Sequence, residues 1–143
     1  MTNIPTNIPK GFTSHSRKSP LTAPWEPLYS KRTDTGIVIG LYADEQHCNS
    51  RGFVHGGLIS ALSDNAMGLS CAGHYDRETL GGMVTISLHV DFTSSVKKGD
   101  WMECVTHSVN AGRNIATAQG QVMANGKACA MIGATFKVLL KRD

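Results

Sequence analysis

The sequence predicts an α+β domain in which an antiparallel sheet packs against one long helix. Only residues 56–74 combine helical apolar spacing with helical length. One strand-like stretch precedes them, and alternating stretches separated by turn sequences follow them. A chain of 143 residues is long enough for one core and short for two. We therefore predict a body at residues 34–143 and an extended N-terminal arm at residues 1–33.

The arm is predicted from its prolines. All five prolines of the chain lie within the first 27 residues, and proline disfavours helix interiors and central strands. The segment TAPWEPLY also carries Trp25 and Tyr29, which are bulky for a free tail. We therefore expect the arm to pack against the body or against a neighbouring subunit.

The body begins with the strand-like stretch GIVIGLYA at residues 36–43, and the helix follows a polar loop. The apolar helix positions near helical spacing are Leu58, Leu62, Ala66, Leu69 and Ala72. A second helix face carries small residues and Asp64. An ionised carboxylate is costly to bury without partners. Asp64 therefore has either a chemical role or a hydrogen bond to a neighbouring Ser or Thr.

Four antiparallel strands are predicted after the helix. Residues 82–93 alternate strictly, which predicts a half-buried strand. The face expected to be buried carries Val84, Ile86, Leu88, Val90 and Phe92, and the opposite face carries Thr85, Ser87, His89 and Asp91. Three strands at residues 101–109, 114–124 and 128–140 follow, because NAGRN and ANGK are hairpin-turn sequences. One sheet face stays uncovered in a monomer, to be covered by solvent or by a partner subunit.

Composition excludes several functional classes. The formal charge of +3 is spread along the chain and aromatic residues make up 6%, which argues against nucleic-acid binding and weakly favours a small anionic ligand. No apolar run is long enough to span a membrane, and the N-terminus lacks a hydrophobic signal core, so we expect a cytoplasmic protein. The four cysteines are far apart and are expected to be reduced thiols. Scattered histidines and missing phosphate-loop motifs predict no metal and no cofactor.

The most informative stretch begins at His55, where a His-Gly-Gly triplet opens the helix. The first N–H groups of a helix have no partners within it, and the helix dipole adds positive potential there. Glycine allows a ligand to approach the backbone closely. Such a site suits an anion, or a carbonyl oxygen that becomes one. Alternatively, the glycines simply permit a tight junction between loop and helix.

Helix geometry separates this triplet from the carboxylate. Asp64 lies nine residues after His55, so it points roughly 180° away and ~13 Å further along the axis. One chain therefore does not easily bring both into one site. A two-fold dimer with antiparallel helices would bring Asp64 of one subunit towards His55 and Gly57 of the other, which makes two equivalent sites.

The same residues resemble the signature of a known family. Asn49 lies six positions before the triplet at His55, and an Asp-Asn pair begins at Asp64. This pattern resembles the hotdog-fold acyl-CoA thioesterases, in the branch of the phenylacetate-pathway thioesterase PaaI and human thioesterase superfamily member 2. The likeness covers residues 34–140 and includes the stretches TSSVKKGD and NAGRNIATAQGQV. It implies a sheet of about five to six strands around a central helix, an acyl-CoA substrate, and homodimers that share active sites and pair into homotetramers.

The resemblance also implies roles for individual residues. Asp64 would be the general base or the nucleophile, and the Gly57 N–H would polarise the thioester carbonyl. Asn49 and His55 would orient substrate or water from the opposite subunit. Thr85 lies where relatives carry a small hydroxyl residue that helps to hold the water.

Coenzyme A carries phosphates, for which the candidate partners are Arg113, Lys97, Lys98 and Arg51. Each could instead be a solvated surface charge. The remaining substrate-binding candidates are Gly56, Asn65 and Gly68. A non-catalytic acyl-CoA binder or sensor on the same fold is the alternative function, and a hydratase is a weaker one because its longer Asp-and-His signature is not evident.

Overall fold

The computed structural model describes residues 7–142 and folds them as one helix against a seven-stranded antiparallel sheet. The helix is α1 (Gly56–Ala72), and the strands are β1 (Thr13–Ser14), β2 (Tyr29–Arg32), β3 (Ile37–Tyr42), β4 (Leu80–Phe92), β5 (Trp101–Ala111), β6 (Ile115–Ala124) and β7 (Lys127–Leu140). The order across the sheet is β1-β2-β3-β5-β6-β7-β4. The predicted hotdog architecture is confirmed. The strand count exceeds the expected five to six because β1 and β2 come from the first 33 residues.

Helix α1 lies against the sheet through its apolar side. Leu62, Ala66 and Met67 are at most 1% exposed, and they join residues of every long strand in one core. The helix ends at Gly73, whose N–H donates to the Leu69 carbonyl at 3.1 Å. The sheet wraps this helix and leaves β4 at one edge. None of the described helices is long and apolar enough to cross a lipid bilayer.

The described part of the arm packs against the body. Leu28 is 1% exposed and belongs to the main core. The Phe12 ring meets the Trp101 ring edge-on, with centroids 5.0 Å apart. His47 Nε2 lies 2.8 Å from the Trp25 carbonyl oxygen and ties the arm to the loop before α1. Residues 1–6 lie outside the described part of the chain.

Strand β4 corrects the predicted alternation. The register with β7 shifts between Thr85 and Ser87, which leaves Ile86 as an extra residue without a partner. A bulge of one residue exchanges the two faces of a strand on either side of it. Thr85 therefore faces α1, while Val84 and Ile86, predicted to be buried, are 53% and 56% exposed.

Beyond the bulge, the face predicted to be buried is only partly covered. Val90 packs against the core as predicted. Leu88 and Phe92, also predicted to be buried, are 36% and 51% exposed. They remain accessible because β4 is the last strand of the sheet and has a neighbour on one side only.

Candidate active site

Asp64 and Thr85 form the polar centre of the candidate site. Asp64 lies in the middle of α1, is half-buried, and accepts a hydrogen bond from the Thr85 hydroxyl at 2.7 Å on Oδ1. The bulge of β4 makes this contact possible by turning Thr85 towards the helix. The carboxylate thus has the hydroxyl partner that a half-buried charge requires. The contact also fixes the orientation of the carboxylate.

A cavity of about 280 Å³ lies beside Asp64, between α1, β4 and the arm. The apolar residues that line it are Leu28, Ile39, Leu62, Leu69, Ala72, Leu80, Met83 and Phe136. Asn65 and Gly68, both predicted to bind substrate, also line it. A Cβ atom at Gly68 would lie 3.5 Å from the Phe136 ring, in ordinary contact. The cavity can accept an apolar chain or ring next to a carboxylate.

Sequence reasoning missed the contribution of the arm to this cavity. His15, Arg17, Ser19 and Thr22 line it together with the helix residues. They reach it because β1 pairs with β2 and folds the arm back over the sheet edge. The only signal in the sequence was the concentration of bulky residues in TAPWEPLY, which predicted packing without saying where.

The start of α1 is occupied by a local cap. The Gly57 N–H, predicted to polarise a carbonyl, donates to His55 Nδ1 at 2.8 Å. A Cβ atom at Gly57 would lie 3.0 Å from the same nitrogen, so glycine permits this close approach of the ring. An acceptor at Nδ1 places the proton of the neutral imidazole on Nε2. The predicted donor is therefore engaged by His55.

Asn49 shapes the loop before the helix. Its side-chain oxygen accepts the Arg51 N–H at 2.9 Å and the Phe53 N–H at 3.3 Å. The loop then joins the 93–100 segment, because the Val54 N–H donates to the Val96 carbonyl at 2.8 Å. The Asn49 oxygen thus has a structural function.

Three of the four predicted CoA-binding cations lie together, and the fourth lies elsewhere. A bridge between Phe53 and Lys97 places Arg51, Lys97 and Lys98 on adjacent loops near the start of α1. Arg113 lies in the β5–β6 turn, where the Tyr75 hydroxyl, just after the end of α1, donates to the Gly112 carbonyl at 2.5 Å. The 17-residue helix spans about 25 Å. One chain therefore does not bring Arg113 together with the other three.

Within one chain the two halves of the predicted site stay apart. None of the residues His55, Gly56 and Gly57 lines the cavity beside Asp64. This separation agrees with the angle expected from nine residues of helix. A shared site across two subunits therefore stays a prediction.

The cysteines are poor candidates for nucleophiles. All four are free, and burial raises the pKa of Cys104 to about 12 and that of Cys71 to about 11. A thiol with such a pKa carries almost no thiolate near neutral pH. Among residues 7–142, no three His, Cys, Asp or Glu side chains are grouped to hold a metal ion. Asp64 is the carboxylate that lines the cavity.

Comparison with known proteins places the chain among enzymes of one type. The profile of the thioesterase superfamily matches residues 51–130. The Pseudomonas aeruginosa protein named "Putative esterase PA0474" is 34% identical over 131 residues, covering 91% of this chain and 96% of that protein. Human "Acyl-coenzyme A thioesterase 13" is 27% identical over 101 residues, covering 64% of this chain and 69% of that protein. A mutant structure of the phenylacetic acid degradation protein PaaI from Thermus thermophilus has 26% identity and a TM-score of 0.69, covering 78% of this chain and 93% of that chain.

Proposed function

Since the chain belongs to the thioesterase superfamily, we propose that it is an acyl-CoA thioesterase, which hydrolyses the thioester of an acyl- or aryl-acyl-CoA to the free acid and CoA. The observation that carries this proposal is the hydrogen-bonded pair of Asp64 and Thr85 in the wall of a cavity that also has apolar walls. The cavity would take the acyl group, and the carboxylate would lie next to the thioester carbon.

The chemistry requires few groups. A thioester carbonyl is electrophilic and its thiolate is a good leaving group, so a modest base and one donor to the carbonyl oxygen suffice. As general base, Asp64 takes a proton from water, the water oxygen bonds to the carbonyl carbon, and the C–S bond breaks. As nucleophile, Asp64 bonds to that carbon itself, and the C–S bond breaks to release the CoA thiolate. Water then hydrolyses the resulting mixed anhydride to the free acid and regenerates the Asp64 carboxylate. In either case Thr85 holds the carboxylate in position.

A dimer would complete the site. Strand β4 is a sheet edge that exposes Val84 and Ile86, and an apolar edge strand is a template for pairing with a second copy. In such a dimer, His55 and Gly57 of the partner subunit would approach Asp64. The thioester oxygen would then replace His55 Nδ1 as acceptor of the Gly57 N–H. Dimers of this kind would pair into a homotetramer.

The basic loops would bind the CoA portion. In each subunit these loops flank the start of α1 and carry Arg51, Lys97 and Lys98. When the helix start of one subunit approaches the Asp64 of the other, the three cations would therefore reach the same interface. Their charges suit phosphate oxygens. Arg113 would contribute only through a different subunit arrangement, since it lies at the far end of α1.

Release of free thiol from a panel of acyl-CoAs tests the proposal. Wild-type protein should release CoA, and Asp64→Asn, which keeps the size of the side chain, should lose nearly all turnover. Equal rates for the two proteins would refute the role of Asp64. Asp34→Asn is the matched control, because it makes the same change at an exposed carboxylate that does not line the cavity, and it should leave turnover unchanged.

The alternative function is a non-catalytic acyl-CoA binder or sensor. One observation favours it: the Gly57 N–H is already paired with His55. Saturable binding of acyl-CoA by the wild type without any thiol release would support this alternative. Turnover that depends on Asp64 would exclude it.

A further inference from the structure

Next to the cavity beside Asp64, here called the acyl cavity, lies a larger groove at the C-terminal end of α1. The groove has a volume of about 970 Å³. The two spaces are adjacent, because five residues line both: His15, Arg17, Leu69, Ala72 and Leu80. A chain that starts beside Asp64 and follows the helix towards its C-terminal end therefore runs towards the groove.

The groove is cationic. The charged side chains that line it are Arg17, Lys31, Arg32 and Arg77, and its described lining contains no Asp or Glu. Lys31 lies over the Phe12 ring, with its nitrogen 4.9 Å from the centroid. In residues 7–142 the only ion pair, between Lys18 and Glu26, involves none of these four side chains. Their positive charge is therefore not neutralised by paired carboxylates.

The two spaces differ in polarity along one direction. The inner cavity beside Asp64 has Leu62 and Phe136 among its apolar walls. At the junction, His15 is 6% exposed and its Nδ1 lies 3.0 Å from the Ser30 hydroxyl. Arg17 lies at the same junction, because it lines both spaces, and Arg77 lines the groove alone. A molecule that fits both spaces is apolar next to the thioester and anionic at its far end.

The length of the path suits a medium-length chain. Asp64 and Ala72 are eight helix residues apart, which corresponds to about 12 Å along the axis. Asp64 lines only the inner cavity, whereas Ala72 lines both the cavity and the groove. If the thioester carbon lies next to Asp64, the terminus of an extended medium-length acyl chain would lie where the groove begins.

We propose that the preferred substrate carries a carboxylate at the distal end of its acyl chain, and that Arg17 and Arg77 bind this carboxylate and determine specificity. This inference rests on the proposed thioesterase function and names the substrate class for the same site. The arm thereby supplies a specificity residue, Arg17, to a cavity that the helix and β4 otherwise build.

The phosphates of CoA are the other source of an anion. They lie on the sulfur side of the thioester, opposite to the acyl terminus. In the proposed dimer, Lys97 and Lys98 of the partner subunit would occupy that side, whereas Arg17 lies where the acyl cavity meets the groove and Arg77 lies in the groove. The position of the groove along the acyl path therefore favours the distal carboxylate.

Matched substrate pairs test the inference, with kcat/KM measured for sebacoyl-CoA and decanoyl-CoA, which have equal chain length. The wild type should prefer sebacoyl-CoA. Arg17→Gln and Arg77→Gln should each lower the ratio of the two kcat/KM values about fivefold, as expected for one partly screened charge contact. Lys18→Gln removes the same charge from the neighbouring residue, which lines neither space, and should leave the ratio unchanged. A ratio within one protein sample is insensitive to partial unfolding.

Four outcomes are possible. A preference for sebacoyl-CoA that the two arginine variants lose supports the inference. Hydrolysis of both substrates with equal kcat/KM refutes it and leaves the proposed function intact. An equal loss on both substrates in Arg17→Gln assigns the groove to CoA phosphate and also refutes it. No thiol release from any acyl-CoA refutes the proposed function and this inference with it.

Discussion

The Thr85 hydroxyl donates to Asp64 Oδ1 across 2.7 Å, from a strand position that plain alternation would have turned away from the helix. The contact joins the middle of α1 to the sheet edge. It holds the carboxylate of Asp64 at the cavity.

Replacement of Thr85 should therefore affect turnover more than folding. Thr85→Val keeps the shape and removes the hydroxyl, so kcat should fall about tenfold through loss of one charge-assisted hydrogen bond. Thr85→Ser should retain most activity. Ser87→Ala, beyond the bulge, is the control and should behave as wild type in steady-state kinetics. A fully active Thr85→Val protein would show that the hydroxyl has no part in catalysis.

The Gly57 N–H gives a second prediction. Gly57→Ala places a methyl group 3.0 Å from His55 Nδ1 and beside the proposed carbonyl donor, so kcat/KM should fall by about 10² to 10³, as when such a donor is lost. Gly56→Ala is the comparison variant, because it gains the same helix propensity at a position predicted to bind substrate but not to donate to the carbonyl. Its methyl group would meet the end of the Phe92 ring at 3.2 Å, which a small ring movement accommodates. Equal losses in the two variants would contradict a specific function for Gly57.

Subunit mixing tests whether the site is shared. Asp64→Asn and Gly57→Ala proteins should each be nearly inactive alone. If Asp64 of one subunit works with Gly57 of the other, unfolding and refolding an equal mixture should restore about a quarter of wild-type activity, because half of the dimers then carry one intact site of two. A mixture of Asp64→Asn with Thr85→Val is the control and should restore nothing, since both residues lie in one chain's half of the site. Absence of rescue in the first mixture would place the complete site within one chain.

His47 predicts a loss of stability at acidic pH. Its Nδ1 accepts the Asp44 N–H at 2.9 Å and its Nε2 lies 2.8 Å from the Trp25 carbonyl, so the folded state needs the neutral ring. Burial lowers the pKa of His47, although the Trp25 carbonyl and Asp44 oppose the shift. In the unfolded chain the His47 ring binds a proton near pH 6.5, whereas in the folded chain it binds one only at lower pH. The contribution of the neutral ring to the free energy of unfolding is therefore complete above about pH 6.5 and is lost as the pH falls below that value.

Denaturant unfolding between about pH 5 and pH 7.5 measures this effect, because the range spans the ordinary histidine pKa. The free energy of unfolding should decrease towards the acidic end in the wild type, and the decrease should be smaller in His47→Gln. His107→Gln, at an exposed position, should leave the slope unchanged. Identical slopes for wild type and His47→Gln would show that His47 does not couple folding to protons.

Two buried threonines should respond in opposite directions to the same substitution. Within the described residues, Thr106 Oγ1 is buried without a hydrogen-bond partner, and Thr106→Val should raise the free energy of unfolding by about 1 kcal/mol. Thr22 Oγ1 lies 3.0 Å from the Ser19 hydroxyl, so Thr22→Val should lower it by about 1 kcal/mol. Thermal or denaturant unfolding of both variants checks the contrast. A destabilised Thr106→Val would mean that its hydroxyl is satisfied in solution.

The helix and the hairpins were predictable because their signals are local. Apolar spacing in residues 56–74 and the Asn125-Gly126 turn each reflect the conformation of a few neighbouring residues. The bulge at Ile86 was not predictable, since residues 82–93 alternate without interruption and only the pairing with β7 introduces the extra residue. Within the candidate site, Asp64 followed from the motif, whereas a place for Gly57 in that site stays a prediction. Arg17 did not, because its position depends on how the arm folds back over the body.

The extra residue in β4 has two structural consequences. The same shift that turns Thr85 towards Asp64 turns Val84 and Ile86 outward, onto a strand edge without a partner in the sheet. Removal of the bulge would turn the Thr85 hydroxyl away from Asp64 and turn Val84 and Ile86 towards the helix. Loss of the bulge would therefore change the environment of the carboxylate and the apolar character of the sheet edge together.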